Sequence, residues 1–531
     1  MASSGNWIMK YSSGMAILYS PGFFVGHVWA LMTDFPADGF SLPYRYSLIA
    51  NSTIFFLIGQ YFFRKVLLNF FSDKITATAM LLIYFGSNLY SYTAWSAEMP
   101  HNYIFTLYTL IIWFTIKWYK SYNIKHMIGL ALSVGFVTLA RPTELISILI
   151  PLFWNISNIS TLKEKLRLLL TKYKQLIIFT LVLILIGMVQ LVYWRIYSGK
   201  FIYYSYVNPG EGFEFLWPYT LKVLFSFRKG WFIYTPLMIF AVIGLIPLYI
   251  NNRKYFYSIF FFFIINLWIV SSWSCWWYAQ SMGQRAFVQS YALMAIPLGY
   301  FISYLVNKKI LVKFVFVLLG IFFIILNLFQ GWQLRNEVIS GDRMTYEYYI
   351  KTFGKTKASK EDRKLLLISR FFGGGKETID KELDFTKTTA YSNSFEKVKQ
   401  THRCDSLSYY GKSSLKMDST IRFSPSFKAK YKDLTTEYYA WIRASVWVYP
   451  VHKISETPVS FVVTFSHKGK AYKYRTIDLT QEDLKLNEWN KISMDYLTPE
   501  VRSTEDELSA YIWNRGKKEI FFDNMEVLIF D

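Results

Sequence analysis

The sequence predicts a multi-pass α-helical membrane bundle of about ten transmembrane helices followed by an all-β sandwich, and three observations carry that prediction. Before about residue 330, apolar runs recur roughly every 25–35 residues. Basic residues crowd alternate connections between those runs. From about residue 391 the apolar pattern changes to a period of two. The expected division is a membrane domain over 1–330, a connection over 331–390 and a β-sandwich over 391–531.

A spanning helix needs about 20 mostly apolar residues, because a hydrocarbon core about 30 Å thick is crossed at 1.5 Å per residue. Runs of this kind lie near 45–63, 76–92, 101–119, 127–140, 143–159, 175–197, 231–250, 255–273, 286–306 and 310–330. Each is rich in Leu, Ile, Phe and Val, and in lipid its backbone groups must bond internally. The pair meeting at Arg141-Pro142 is the shortest. The stretch 15–33 is interrupted by Pro21-Gly22 and carries the polar His27. It reads either as a span with the N-terminus inside or as a helix along the outer membrane surface. Met1 to Tyr11 lacks the pattern of a cleavable signal peptide.

One alternate set of connections holds sixteen basic residues, among them Arg64, Lys65, Lys163, Lys165, Arg167, Lys308 and Lys309, against the acids Asp73 and Glu164. The other set holds seven basic residues and six acids, Asp34, Asp38, Glu98, Glu144, Glu211 and Glu214. Basic connections mark the cytoplasmic side. The expectation is therefore a protein of the cytoplasmic (inner) membrane with the second set and everything after 331 outside. The net charge of +22 follows from this topology, so membrane lipids are the expected partners and nucleic acid is not. Only Cys275 and Cys404 occur, which excludes a disulfide framework and a zinc site.

Residues 331–390 read as a charged connection punctuated by Phe371-Phe372-Gly373-Gly374-Gly375. Alternation then marks strands at Tyr438–Val448, Val459–Phe465, Ala471–Leu479 and Ile520–Phe530. The final run, Ile520-Phe521-Phe522-Asp523-Asn524-Met525-Glu526-Val527, looks like the last strand of jelly-roll carbohydrate-binding modules. A structural or docking role competes with sugar binding for this domain.

Ionisable groups at membrane helix ends are costly to keep there and are the best functional leads. Four clusters qualify, all on the expected outer side. In Glu98-Met99-Pro100-His101, Pro100 suits a first helical turn. The two ionisable groups, three apart, could converge on a sugar hydroxyl or a divalent metal; a capped helix start is the plain alternative. In Arg141-Pro142-Thr143-Glu144, the planar guanidinium suits phosphate, and an Arg141–Glu144 pair closing a hairpin competes equally. Arg228-Lys229-Gly230-Trp231 suits a lipid phosphate, against an aromatic belt with snorkelling bases. The fourth cluster, Trp273-Ser274-Cys275-Trp276-Trp277-Tyr278 through Gly283-Gln284-Arg285, offers aromatic faces for sugar rings and donors from Gln280, Gln284 and Arg285 for hydroxyls or phosphate.

With Lys10-Tyr11-Ser12-Ser13-Gly14-Met15 and Tyr19-Ser20-Pro21, these motifs make residues 1–330 resemble the GT-C glycosyltransferase superfamily. The resemblance is to bacterial relatives of protein O-mannosyltransferases and aminoarabinose transferases (glycosyltransferase family 39-like). It implies an enzyme that uses a polyprenyl-phosphate-linked sugar donor at the outer membrane face, with a carboxylate in the first outer loop near the acceptor. It also implies that 15–33 is an outer-surface helix. The family's first spanning helix and its acid should precede Lys10, where only nine residues stand. The expectation is a chain lacking that helix, with Asp34 and Asp38 as the acids left in the first outer region.

The expected function is sugar transfer from polyprenyl phosphate to a lipid, glycan or protein hydroxyl. Glu98 is the candidate base. Arg141, Arg228, Lys229 and Arg285 face the leaving phosphate, Trp276, Trp277 and Tyr278 form the sugar platform, and His101 and Gln284 bind hydroxyls. A divalent metal on Glu98 and His101 is compatible, though no full ligand set is visible. The rivals are a transporter or flippase of lipid-linked glycans, which predicts internal repeats and midplane charges, and an inactive, truncated copy serving as an envelope glycan-binding scaffold.

Overall fold

The structure is a computed structural model that describes residues 4–205, 212–368, 378–379, 385–453 and 458–531. The chain divides into two compact units, the first ending at Leu366 and the second running from Leu367 to Asp531. The Gly373–Gly375 punctuation and Glu211 lie outside the described residues.

The first unit is helical. Among the described residues, six helices are long and apolar enough to cross a membrane: Gly14–Leu31, Leu42–Leu67, Tyr173–Ser198, Arg253–Ser271, Arg285–Val306 and Ile310–Arg335. This is fewer than the ten expected, and the reasons are local. The run 76–92 breaks at Gly86-Ser87-Asn88 into helices Asp73–Phe85 and Leu89–Ala94. The run 231–250 breaks around Pro236 and Gly244 into Trp231–Tyr234, Met238–Ile243 and Leu245–Asn251. The run 143–159 becomes a 3-10 turn, Pro142–Ile148, and a short helix, Leu149–Phe153. Helix Ile124–Ala140 is only 17 residues long. Helix His101–Ser121 has length enough, but it carries His101, Asn102, Lys117 and Lys120.

Gly14–Leu31 is one continuous helix with Pro21 inside it, where the sequence suggested an interruption. An interior proline removes one backbone bond, which a membrane helix tolerates when neighbours support it. Here the support is close packing. A Cβ on Gly22 would lie 2.6 Å from Asn51 Cβ, and one on Gly26 would lie 2.7 Å from Tyr44 Cα. Asn51 also donates to Leu18 O at 3.0 Å. Small residues thus let two backbones approach and polar side chains bond across them.

The most buried of the six is Arg285–Val306, with 83% of its window inside the unit against 11% for Ile310–Arg335. It runs through the middle and meets Gly244 so closely that a Cβ there would lie 2.0 Å from Pro297 O. The segment after Arg335 stays with this unit. Ile339, Met344 and Tyr348 are buried in its core, and Ser359 and Asp362 form a capping box on the turn Lys360–Arg363.

The second unit is two antiparallel sheets. Its strands are β1 Lys387–Asn393, β2 Arg403–Cys404, β3 Ser414–Met417, β4 Phe427–Lys430, β5 Trp441–Pro450, β6 Val459–His467, β7 Lys470–Asp478, β8 Asn490–Leu497, β9 Glu507–Asn514 and β10 Ile520–Phe530. One sheet has the order β2-β3-β10-β5-β8, with β1 also on β10, and the other β4-β9-β6-β7. β10 is shared along one edge: β3 pairs with Ile520–Phe522 and β1 with Met525–Phe530. Val446, Val448, Phe522 and Val527 of the first sheet join Phe461, Val463, Leu508 and Ile512 of the second in one buried core. Alternation along each strand turns these side chains to one face.

Candidate functional site

The connection 272–284, between helices Arg253–Ser271 and Arg285–Val306, organises the site. Its backbone is left-handed at Tyr278 (φ 52°), Ala279 (φ 53°) and Gly283 (φ 51°). A non-glycine residue held there costs about 1–3 kcal/mol, and such strain persists only when the surroundings over-determine it. The surroundings do so. Ser281 N donates to Gly341 O at 3.0 Å. Met282 N donates to Tyr92 Oη at 3.0 Å, and Asn88 Nδ2 donates to Met282 O at 2.9 Å. Gln284 Nε2 donates to Trp276 O at 2.9 Å, and Tyr278 Oη to Val270 O at 3.1 Å. At Gly283 a Cβ would sit 2.8 Å from Tyr234 Cβ.

Four cations from three stretches of sequence reach this connection. Arg228 is buried, donates through Nε to Asp342 O at 2.7 Å, and lies 3.8 Å from the Trp277 ring centre. Lys229 is 1% exposed; its Nζ donates to Ser281 O and, at 2.7 Å, to Ser281 Oγ. Burial, with Arg285 and then Arg228 nearby, holds its ammonium well below the ordinary lysine value, and Asp342 works against them. Arg141 pairs with Glu144 at 3.3 Å. Glu144 is buried and also accepts from Tyr108 Oη at 2.5 Å and Gln289 Nε2 at 2.9 Å. The Arg141–Glu144 pair anticipated from sequence is therefore present, and two uncharged partners hold it.

Arg285 differs from the other three. It is half-buried, close enough to Tyr92, His101, Tyr278 and Lys229 to act on their charges. Among the described residues its side chain makes no hydrogen bond or ion pair. Among the described residues of the unit, the buried atoms without a partner include His101 Nδ1, Trp276 Nε1 and Gln284 Oε1. Leaving a buried polar atom unpaired costs about 1–3 kcal/mol, so each asks for an explanation.

Two expectations need correction. Glu98 and His101 do not share a setting: Glu98 is exposed on the turn before helix His101–Ser121, with its carbonyl accepting from Tyr19 Oη. His101 is 5% exposed, with its ring 4.5 Å from that of Tyr92. Among the described residues no three His, Cys, Asp or Glu side chains gather to hold a metal. The aromatic platform is also closed. Trp276 and Trp277 are buried, edge-to-face at 5.8 Å, and Arg228 covers Trp277. Tyr278 is half-buried. The two tryptophans wall in the cations, because an Arg face on a desolvated indole is itself favourable.

Sequence reasoning missed Asn88, Tyr92, Tyr108, Ser281, Gln289 and Asp342. Five are uncharged and carry no loop-charge signal; their presence inside or beside apolar runs was the only cue.

No family model matches the chain, and no curated relative matches it. Among solved structures it is similar to the CBM22-1 xylan-binding domain from Paenibacillus barcinonensis Xyn10C, at 17% identity and a TM-score of 0.20, covering 28% of this chain and 97% of that one. A likeness of that strength carries neither fold nor function to this chain.

Proposed function

We propose that the chain is a GT-C-like membrane glycosyltransferase that moves a sugar from a polyprenyl-phosphate donor to a lipid, glycan or protein hydroxyl. It acts at the outer face of the cytoplasmic membrane, with the β unit outside as a jelly-roll-like sandwich. The observation that carries this reading is the gathering of Arg141, Arg228, Lys229 and Arg285 at one connection against two acids, Glu144 and Asp342, beside buried polar atoms without partners. Such a site favours a ligand that is both anionic and rich in hydroxyls.

The chemistry assigned to it is a displacement with inversion. The acceptor oxygen attacks the anomeric carbon, and the bond from that carbon to the donor phosphate oxygen breaks. Its electron pair goes to the phosphate, which leaves on the polyprenyl chain. Arg285, unpaired, stabilises the charge that develops there. The acceptor proton passes to a carboxylate base, for which Glu98 is the candidate. His101 Nδ1, Trp276 Nε1 and Gln284 Oε1 meet sugar hydroxyls, and Trp277 positions Arg228 rather than stacking on sugar.

The test uses the full chain in proteoliposomes, with radiolabelled polyprenyl phosphate and a panel of polyprenyl-phosphate sugars. Arg285→Ala is expected to weaken polyprenyl phosphate binding about tenfold to a hundredfold, the worth of one charge-assisted hydrogen bond. Glu98→Gln is expected to keep that binding and abolish transfer. Unchanged binding in the first variant removes the site assignment. Movement of intact lipid-linked sugar across the bilayer without transfer replaces the enzyme with a flippase.

A further inference from the structure

At one end of the second unit a cavity of about 470 Å³ is lined by Asn393, Lys397, Lys399, His402, Ile421 and Phe423, among others, and no carboxylate belongs to its wall. That volume is within the range of small-ligand sites. The nearest acids are already committed. Glu396 accepts from Lys412 N at 2.7 Å, Ser413 N at 3.2 Å and Ser413 Oγ at 2.8 Å. Asp418, within electrostatic reach of His402 and Lys416, accepts from Thr420 N at 2.8 Å and Thr420 Oγ1 at 2.6 Å. Lys397, Lys399 and His402 thus stand in the cavity wall, while Glu396 and Asp418 are held by donors outside it.

The other half of the cavity's chemistry is aromatic. Phe423 is 54% exposed, yet its position is fixed by a backbone bridge to Trp513 and by Asn514 N donating to Arg422 O at 2.8 Å. Its ring lies 6.2 Å from that of Trp513 and only 11° from parallel, while Tyr511 stands 5.9 Å away. Arg515 lies 5.1 Å from the Trp513 ring. An exposed aromatic ring, Phe423, stacked on Trp513 with Tyr511 edge-on, thus borders the basic cavity. A single exposed aromatic is ordinary, but one held in place in the wall of a cavity beside cations offers a face for a ring to stack on.

We infer that this cavity binds an acidic sugar residue of a glycan. The aromatic surface takes the flat apolar face of the ring, and Lys397, Lys399 and His402 take its carboxylate or phosphate. The inference does not depend on the sugar-transfer reading, because every residue in it belongs to the second unit.

Retention of the full-length protein in detergent is compared on immobilised polygalacturonate, a sugar-bearing poly(glycerol phosphate), neutral xylan and single-stranded oligo-dT. Retention on an acidic polymer is expected to exceed that on xylan about tenfold at low salt and to fall as salt screens the lysines. The two acidic polymers separate carboxylate from phosphate as the recognised group. The double variant Lys397→Gln/Lys399→Gln, at exposed positions, and Phe423→Ala are each expected to reduce retention about fivefold or more, with unfolding of the protein unchanged. Equal retention on xylan, no retention on either acidic polymer, indifference to both variants, or stronger retention on oligo-dT overturns the proposal.

Discussion

In the second unit, Asp523 is fully buried and its carboxylate accepts from Tyr409 N at 2.7 Å, Tyr410 N at 2.9 Å and Asn524 N at 2.7 Å. Asp506, 1% exposed, takes His467 Nδ1 at 2.5 Å, Tyr472 Oη at 2.6 Å and two backbone N–H groups. Arg443 grips Asp495 through two bonds at 2.6 and 2.9 Å. The first unit satisfies Glu144 in the same manner, but among the described residues leaves Arg285 without a partner. Charges answered within the fold need no ligand to explain them. The contrast is one of charge: the buried acids of the β unit are answered within the fold, whereas Arg285 at the 272–284 connection is not.

Three substitutions or conditions sharpen or break this contrast. The largest effect is expected in the β core, where Phe461→Ala should destabilise the second unit by about 3–5 kcal/mol, since its ring is fully buried between the sheets. The measurement is the denaturant midpoint of the full chain. If the proposed polyprenyl phosphate binding fell in parallel, the two units would not act independently.

Tyr108→Phe removes one bond to the Glu144 carboxylate and should cost about 1.5–3 kcal/mol of first-unit stability. Steric trapping in bilayers would read it. A neutral result would place Glu144 among the groups awaiting a ligand, and the contrast would need redrawing.

The smallest effect is at the surface. Hydrogen bonds from Lys430 at 2.8 Å and Lys432 at 2.5 Å bring the Glu505 carboxyl down to about 2, from an ordinary value of about 4.3. Its contribution to stability is therefore fully present above that ordinary value and is lost as pH falls toward about 2. Over that window the melting temperature of the second unit should fall less steeply in Glu505→Gln than in the native chain. Identical slopes would mean the pair is fully screened.

Much of the architecture could be read from the residues. Five of the ten apolar runs emerge as helices long and apolar enough to cross a membrane, and the strands at Val459, Ala471 and Ile520 begin within a residue of where alternation begins. Three of the remaining runs broke because hydropathy counts apolar residues, whereas Pro142, Pro236, Gly244 and the Gly86-Ser87-Asn88 turn decide whether a helix continues; the other two stay continuous, one short and one carrying polar and charged residues. β8 does alternate, with Ile492, Met494 and Tyr496 against Lys491, Ser493 and Asp495, yet is absent from the expected strands; in β9 the outward Tyr511 and Trp513 blur the pattern of Leu508, Ala510 and Ile512. At the site, charge singled out Arg141, Arg228, Lys229 and Arg285, but their convergence is a product of topology. The partners Tyr108 and Gln289, 36 and 145 positions from Glu144, could not be matched to it by spacing.

The placement of Arg285 at the head of the most buried helix has a thermodynamic consequence. That helix is clamped along its length, with Gly244 against the backbone of Pro297 about 20 Å further on. A guanidinium on a mobile loop would lose backbone and side-chain entropy on meeting an anion; one mounted on this axis has already lost the backbone share during folding. A ligand of the site would therefore meet a charge whose backbone anchor was set before it arrived, leaving only the ordering of the Arg285 side chain to offset the contact.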